Sequence, residues 1–180
     1  DGKILKSGLD FDSDEELISK IREFKPDIVG ISVMTFYKEF VHRTIKNLRD
    51  NKVKTPIFLG GPYPTGAYQD VLKDDNIDLC ILGEGENPMR EMCLKLKSGS
   101  NDLKSVPGLI YRSNGEYKRS GPNYAMDHKM FSDTTVHIDW KSIPYERYWD
   151  QIESFYEKPD LNETRTVRVF TTNYCPFDCV

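Results

Sequence analysis

Short apolar runs alternate with amphipathic segments through the first hundred residues of this chain. The runs at residues 27–33, 57–59 and 79–82 have the length and composition of strands buried on both faces. Between them, apolar residues recur at helical spacing. This alternation predicts parallel strands joined by right-handed helical crossovers, and therefore an α/β fold with an open parallel sheet and flanking helices.

Four helices are predicted around these strands. The first begins at Ser13, which has the spacing of a capping box with Glu16, and it ends before Pro26. The other three are expected over residues 37–50, 67–73 and 87–97. The residues expected to face inward from the second and fourth helices are Phe40, Val41, Ile45, Leu48, Met89, Met92, Cys93 and Leu96.

The pattern changes after residue 100. Asn114-Gly115 separates two short runs and predicts a β-hairpin over residues 108–119. An irregular, aromatic linker with a short helix near residues 146–156 is expected to follow, and then a strand at residues 167–170. Because an open sheet usually has about five strands, we expect one or two strands to precede this chain. The predicted segments are an α/β domain at residues 1–100, a hairpin and linker at 101–164, and the start of another domain at 165–180.

Composition limits the classes of partner that this chain can bind. Its 180 residues carry a formal net charge of −4 without a cluster of Lys and Arg, which disfavours nucleic acid binding. No apolar run approaches the roughly 18–20 residues that span a bilayer, and no signal peptide opens the chain. We therefore expect a cytoplasmic protein that does not bind membranes. Cys80 and Cys93 fall within apolar patterns and are interpreted as core residues.

The ends of the three predicted strands are the candidate ligand site, because open parallel sheets bind ligands outside the carboxyl ends of their strands. Hydroxyls and glycines are concentrated there, and glycine allows a ligand to approach the main chain closely. An alternative is that these glycines only turn the chain from strand to helix. No phosphate-loop or dinucleotide fingerprint is present. The candidate residues are Ser32, Val33, Met34, Thr35, Gly60, Gly61, Pro62, Thr65, Gly83, Glu84, Gly85 and Glu86.

The segments at residues 26–32, 59–65 and 83–86 resemble the successive signatures of cobalamin-binding domains attached to radical S-adenosylmethionine (SAM) enzymes. The resemblance implies a flavodoxin-like, Rossmann-like sheet with a slot for the nucleotide tail of cobalamin. It also implies that Ser32 and its neighbours line the tail, and that Gly60 and Gly61 let the tail pass. The loop at 83–86 would border the dimethylbenzimidazole or the edge of the corrin.

The sequence departs from one branch of the cobalamin-binding domains. Domains of the methionine-synthase type carry Asp-x-His-x-x-Gly, whose histidine ligates cobalt, and this motif does not occur here. His42, His128 and His137 are interpreted as surface or packing residues rather than cobalt ligands. Many radical SAM relatives also lack this histidine, so its absence is compatible with cobalamin binding.

Residues 171–180 resemble the opening of a radical SAM barrel, in which C-x-x-x-C-x-x-C holds three irons of a 4Fe–4S cluster and SAM binds the fourth. By this resemblance Cys175 and Cys179 are the first two ligands. The third cysteine, expected three residues after Cys179, lies beyond the chain. The cluster and SAM are therefore expected only in the full-length protein. Without its context, C-x-x-x-C would indicate no more than two ordinary thiols.

The resemblance implies the cobalamin-binding portion of a radical SAM enzyme, whose full-length form makes a 5′-deoxyadenosyl radical and uses cobalamin for methyl transfer or electron transfer. The family includes methyltransferases and proteins like the anaerobic magnesium-protoporphyrin IX monomethyl ester cyclase. The chain alone is expected to be catalytically inert, and the radical SAM barrel is its expected partner. An alternative is a cofactor-free, flavodoxin-like docking or structural module. A receiver domain is disfavoured, because the strands end at Ser32, Gly60 and Gly83 rather than at an aspartate.

Overall fold

A computed structural model describes residues 2–100, 102–103, 105–113, 116–122, 129, 141, 143–158 and 160–166. The chain divides into two compact units. One unit is Phe11–His137, and the other combines Asp1–Asp10 with Ile138–Val180.

The first unit alternates strands and helices. Its helices are α1 (Asp14–Phe24), α2 (Lys38–Asp50), α3 (Pro62–Val71) and α4 (Glu86–Lys97), with a short 3₁₀ helix at Thr35–Tyr37. Its strands are β1 (Val29–Ser32), β2 (Ile57–Gly60), β3 (Leu79–Ile81), β4 (Leu109–Ser113) and β5 (Glu116–Arg119).

The described strands form one sheet in the order β1-β2-β3-β4-β5. The first three strands are parallel, with Ile31 opposite Leu59 and Leu59 opposite Cys80. The predicted α/β fold with flanking helices is confirmed, and so is the hairpin formed by β4 and β5. The three predicted strands are parallel, as expected, and β4 pairs antiparallel with β3, so the hairpin extends the sheet and makes it mixed. β1 is the outermost strand on the other side of the described sheet.

Alternating side chains of the strands build a core on each face of the sheet. Ile57, Leu59 and Cys80 pack with the apolar stripes of α1, α2 and α3. Phe58 and Ile81 point the other way and pack around Met92 of α4. This division follows from the two-residue period of a strand, and it places three helices on one face and α4 on the other.

The ends of α1 follow the predicted signals. Ser13 Oγ accepts a hydrogen bond from the Glu16 N–H (3.2 Å) and so caps the helix. The Glu16 carboxylate accepts from the Asp12 N–H (2.9 Å) rather than from the Ser13 N–H. The helix ends at Phe24 because Lys25 is left-handed (φ 51°), and its N–H closes the last turn on the Ile21 carbonyl.

Two residues expected in the core are exposed. Phe40 is 40% exposed, and Thr44 occupies the buried stripe of α2 beside Val41. Cys93 is also exposed, whereas Met92 is fully buried. Successive side chains of a helix are rotated by about 100° around its axis. A residue next to a buried position therefore points to the side of the helix, between the core and the solvent. Cys80 is a fully buried core residue, as predicted.

The helix α3 begins earlier than expected. Pro62 occupies its first turn, where its fixed φ and missing N–H are tolerated. The backbone is kinked at Ala67 (φ −144°, ψ 39°), which is where the predicted helix began. Pro62 and Thr65 therefore lie in the first turn of a helix rather than in a loop.

The second unit contains α5 (Tyr145–Glu153) and α6 (Leu161–Thr164). The helix predicted near residues 146–156 is thus confirmed, with an earlier end. Arg147 donates to the Asp10 carboxylate (3.1 Å) and to the Leu9 carbonyl (2.8 Å), so the N-terminal segment packs on α5. The strand predicted at residues 167–170 lies outside the described residues.

The pairing of Gly30 with Phe58 gives a test of the β1–β2 packing. A Cβ on Gly30 would overlap the Phe58 ring. We expect Gly30→Ala to lower the free energy of unfolding by about 1–3 kcal/mol through overpacking, as measured by urea denaturation. Gly66→Ala is the matched control, because a Cβ there meets open space. An equal stability loss in both variants would contradict this packing.

Candidate ligand-binding site

The three strand-end loops lie together at one edge of the sheet. Because β1, β2 and β3 are parallel, their carboxyl ends point the same way. The main chain of Val33 connects the first two loops: its N–H donates to the Gly60 carbonyl (2.9 Å), and its carbonyl accepts from the Tyr63 N–H (3.1 Å). The first two candidate segments therefore form one continuous surface.

Thr65 connects the second loop to the third. Its hydroxyl donates to the Gly61 carbonyl (2.8 Å) and accepts from the Gly83 N–H (3.1 Å). A hydroxyl offers one donor and two acceptor positions, so Thr65 keeps one acceptor position for another group. This side chain holds the loops at a set separation.

Gly61 and Gly83 are required by the protein itself. Both have positive φ values, 96° and 75°, which other residues rarely adopt. A Cβ on Gly61 would also stand 3.1 Å from Ser32 Oγ and from the main chain of Val33. These two glycines fit the alternative considered above, in which glycine serves the turn from strand to helix.

Gly60 and Gly85 have no such requirement. Neither has a positive φ, and apart from each glycine's own local backbone and its two chain neighbours, no heavy atom of the described residues lies within 4 Å of a Cβ built on it. A side chain at Gly60 or Gly85 would project into open space at the carboxyl edge of the sheet. This open space beside Gly60 and Gly85, called the cradle below, would let a ligand lie close to the main chain.

The remaining candidate residues differ in what they offer a ligand. The Val33 side chain is 1% exposed and belongs to the core, so only its main chain lies at the site. Glu86 begins α4, where its carboxylate interacts favourably with the helix dipole. Half-buried candidates are Gly60, Gly61, Glu84 and Gly85. Exposed candidates are Ser32, Met34, Thr35, Pro62, Thr65, Gly83 and Glu86.

A polar cluster of three side chains lies beside the second loop. His42 Nδ1 is 2.7 Å from the Asp74 carboxylate, and His42 Nε2 is 3.1 Å from the Tyr63 hydroxyl. The Tyr63 and His42 rings meet edge to face, with centroids 5.9 Å apart. His42 is partly exposed and packs against Tyr63, in line with its interpretation as a surface or packing residue. Tyr63 and Asp74 received no role from the sequence, because their separations from His42 of 21 and 32 residues leave no local signal.

Burial and hydrogen bonding shift two pKa values in this cluster. Burial, followed by the nearby Asp70 carboxylate, raises the pKa of the Tyr63 hydroxyl above its ordinary value. Burial also favours the protonated form of Asp74, but hydrogen bonds from His42 and Asn76 prevail and lower the pKa of this carboxyl. Asp74 is therefore anionic and Tyr63 is a neutral hydroxyl at neutral pH.

The described residues hold no group of three or more His, Cys, Asp and Glu side chains arranged to bind a metal ion. Burial raises the pKa of the Cys80 thiol to about 12, which makes it an inert core thiol. The predicted cluster ligands Cys175 and Cys179, together with His128 and His137, lie outside the described residues. Within the described part of the chain, no helix is long and apolar enough to cross a membrane.

The sheet order and the flanking helices define a flavodoxin-like α/β domain, a class of fold that holds its ligands outside the carboxyl ends of its strands. Residues 4–92 match the family described as the B12 binding domain. The match extends over 89 of the 180 residues and confirms the resemblance to cobalamin-binding domains seen in the sequence.

Relatives of known sequence extend the similarity beyond this domain. The chain is 29% identical to an uncharacterized methyltransferase of Pyrococcus horikoshii, over 89% of this chain and 32% of the relative. It is 24% identical to the cytidylyl-2-hydroxyethylphosphonate methyltransferase of Streptomyces wedmorensis, over 99% of this chain and 36% of the relative. It is 33% identical to the anaerobic magnesium-protoporphyrin IX monomethyl ester cyclase of Rubrivivax gelatinosus, over 55% of this chain and 18% of the relative. The chain thus spans about a third or less of the length of these relatives.

Solved structures share the fold. The radical SAM methyltransferase TsrM of Kitasatospora setae, solved with cobalamin and a 4Fe–4S cluster, aligns with a TM-score of 0.54 and 20% identity. This alignment covers 65% of this chain and 22% of TsrM. The cobalamin-dependent radical SAM enzyme OxsB, solved with aqua-cobalamin and SAM, aligns with a TM-score of 0.53 and 20% identity, over 63% of this chain and 16% of OxsB.

The bridging role of Thr65 is testable without any ligand. We expect Thr65→Val to lower the free energy of unfolding by about 0.5–1.5 kcal/mol and to speed hydrogen exchange at the Gly83 amide, because two hydrogen bonds are lost. Thr65→Ser keeps the hydroxyl and is the matched control. Unchanged exchange at the Gly83 amide in Thr65→Val would contradict the bridge.

The lowered pKa of Asp74 predicts a pH-dependent stability difference. A carboxyl whose pKa is lower in the folded state stabilises the fold above its unfolded value of about 3.9, and this contribution is lost as pH falls through the folded value. We expect Asp74→Asn to be less stable than the wild type at pH 6, with a smaller difference at pH 3. Urea denaturation at both pH values measures this, and a difference independent of pH would refute it.

Proposed function

We propose that this chain is the cobalamin-binding portion of a larger radical SAM enzyme, in which the cofactor's nucleotide tail occupies the edge at Gly60 and Gly85. One observation carries the proposal: a domain of the B12-binding family has two glycines at its carboxyl edge that neither backbone geometry nor packing requires. Space reserved for a ligand explains both of them.

The residues at this edge match the chemistry of the cofactor tail, which combines a sugar, a phosphate and a flat base. Ser32 and Thr35 are exposed and offer hydroxyl groups for hydrogen bonds to polar parts of the tail. Gly60 exposes main-chain groups without a side chain in front of them. Met34 is 47% exposed and offers apolar contact area beside the hydroxyls.

His42 is unsuited to ligate cobalt, because both of its ring nitrogens already have partners. Nδ1 faces Asp74 and Nε2 faces the Tyr63 hydroxyl. A metal-bound histidine must present one nitrogen to the metal. We therefore propose that cobalamin binds here without His42 as a cobalt ligand, and that affinity comes from contacts of the nucleotide tail with the edge at Gly60 and Gly85.

Cobalamin supplies a cobalt centre that can carry a methyl group. The first candidate activity of the full-length protein is methyl transfer, supported by two methyltransferases that align over 89% and 99% of this chain. Oxidative cyclisation is the second candidate, supported by the 33% identity to the Rubrivivax gelatinosus cyclase over 55% of this chain. Cys175 and Cys179 are proposed as ligands of a 4Fe–4S cluster in the full-length protein, with SAM as co-substrate. The cytoplasmic location stays a prediction from the sequence.

Filling the cradle separates cofactor binding from folding. We expect Gly60→Val to weaken hydroxocobalamin binding at least about tenfold, while its stability changes by no more than about 0.5 kcal/mol because the side chain enters open space. The corrin absorbance of titrated or co-eluting chain measures binding, and urea denaturation measures stability. Gly2→Val is the matched control, because Gly2 also meets open space and belongs to the other unit.

Two outcomes would count against the proposal. Equal hydroxocobalamin affinity in Gly60→Val and the wild type would place the cofactor elsewhere. A wild-type chain that retains no hydroxocobalamin at micromolar concentration would favour the alternative, a cofactor-free docking or structural module.

A further inference from the structure

The polar cluster of Asp74, His42 and Tyr63 joins three separate segments of the first unit, on the face of the sheet that carries α1, α2 and α3. His42 lies in the middle of α2, Tyr63 in the first turn of α3, and Asp74 shortly after α3 ends. The Tyr63 side chain is buried (4% exposed), while the His42 and Asp74 side chains are 26% and 17% exposed. The Tyr63 hydroxyl therefore has little access to water. Within the described part of the chain, it depends on His42 as its hydrogen-bond partner.

The charge of Asp74 determines the direction of these hydrogen bonds. An anionic carboxylate 2.7 Å from His42 Nδ1 can only accept, so Nδ1 carries the hydrogen. In the neutral imidazole Nε2 is then the acceptor, and the Tyr63 hydroxyl donates to it. Asp74 is itself held by the N–H and the side-chain amide of Asn76, at 3.0 Å and 2.8 Å. Asn76 thus orients Asp74, Asp74 orients His42, and His42 orients Tyr63.

Tyr63 transmits this orientation to the ligand edge. It follows Gly61 by two residues, and its N–H donates to the Val33 carbonyl (3.1 Å). Its ring belongs to the same apolar core as Leu59 and Val33. A change in the position of the Tyr63 ring would therefore move the turn at Gly60–Gly61 relative to the first loop.

We propose that Tyr63 is a positioning residue of the cobalamin site, oriented by the hydrogen-bonded pair of Asp74 and His42, which holds the Gly60–Gly61 turn at the separation that the cofactor tail requires. This inference rests on the proposed function and adds three side chains to the site, none of which is expected to touch the cofactor. His42 thereby acts in cofactor binding without ligating cobalt.

Two amide substitutions of His42 separate its two hydrogen bonds. The Asn amide nitrogen stands near the place of Nδ1, so His42→Asn can keep the bond to Asp74 and loses the acceptor for Tyr63. The longer Gln can present its carbonyl oxygen near the place of Nε2, so His42→Gln keeps an acceptor for Tyr63. Tyr63→Phe removes the donor itself. Hydroxocobalamin affinity of the full 180-residue chain is the readout, with the melting temperature measured in parallel.

We expect His42→Asn and Tyr63→Phe each to weaken hydroxocobalamin binding about five- to tenfold, which corresponds to the loss of about one hydrogen bond. His42→Gln should stay within about threefold of the wild type. The double variant His42→Asn/Tyr63→Phe should bind no more weakly than either single variant, because both substitutions remove the same interaction.

Asp78→Asn is the matched control for a general loss of stability. The Asp78 carboxylate accepts from Arg49 (2.6 Å) and from the Ile57 N–H (2.7 Å), at the amino end of β2 and thus at the opposite edge of the sheet. This variant should lower the melting temperature and leave hydroxocobalamin affinity unchanged. An affinity loss in Asp78→Asn equal to that in His42→Asn would reduce the cluster to ordinary fold stabilisation and overturn the inference.

The remaining outcomes distinguish the inference from the proposed function. Wild-type affinity in His42→Asn, or equally weak binding in His42→Gln and His42→Asn, would overturn the positioning role while cobalamin binding stands. A wild-type chain that binds no hydroxocobalamin would overturn both.

Discussion

Parallel pairing of β1, β2 and β3 is the constraint on which the rest of this structure depends. It brings three strand ends to one edge, although the residues there are separated by more than twenty positions in sequence. Hydrogen bonds from Val33 and Thr65 then connect the three loops. These hydrogen bonds fix the main chain at the carboxyl ends of the three strands without any ligand.

The four glycines at this edge have two different physical roles. Gly61 and Gly83 allow positive φ values that the turns from strand to helix require. Gly60 and Gly85 have ordinary backbone angles and face open space. The interpretation of the glycines as turn residues therefore applies to Gly61 and Gly83, and only Gly60 and Gly85 support the proposal of a bound cofactor.

The sequence predicted the helices and strands more reliably than the burial of single side chains or the pairing of distant strands. Apolar periodicity located β1, β2, β3 and the helices, because local hydrophobic patterns reflect the period of each element. The Asn114-Gly115 pair located the hairpin. It misplaced Phe40 and Cys93, which lie next to buried positions, because a pattern resolves the inward direction of a helix only to about one residue. The pairing of the hairpin with β3 was also missed, since strand partners far apart in sequence leave no local signal.

The sequence by itself determined the α/β class, the three glycine-bearing strand ends and the resemblance to cobalamin-binding domains, because each depends on residues close together in the chain. Tertiary structure alone decided which glycines leave free space and which only serve a turn, because that depends on backbone angles and neighbouring atoms. It alone also assembled Asp74, His42 and Tyr63. These side chains come from different elements and meet only because α2 and α3 pack on the same face of the sheet.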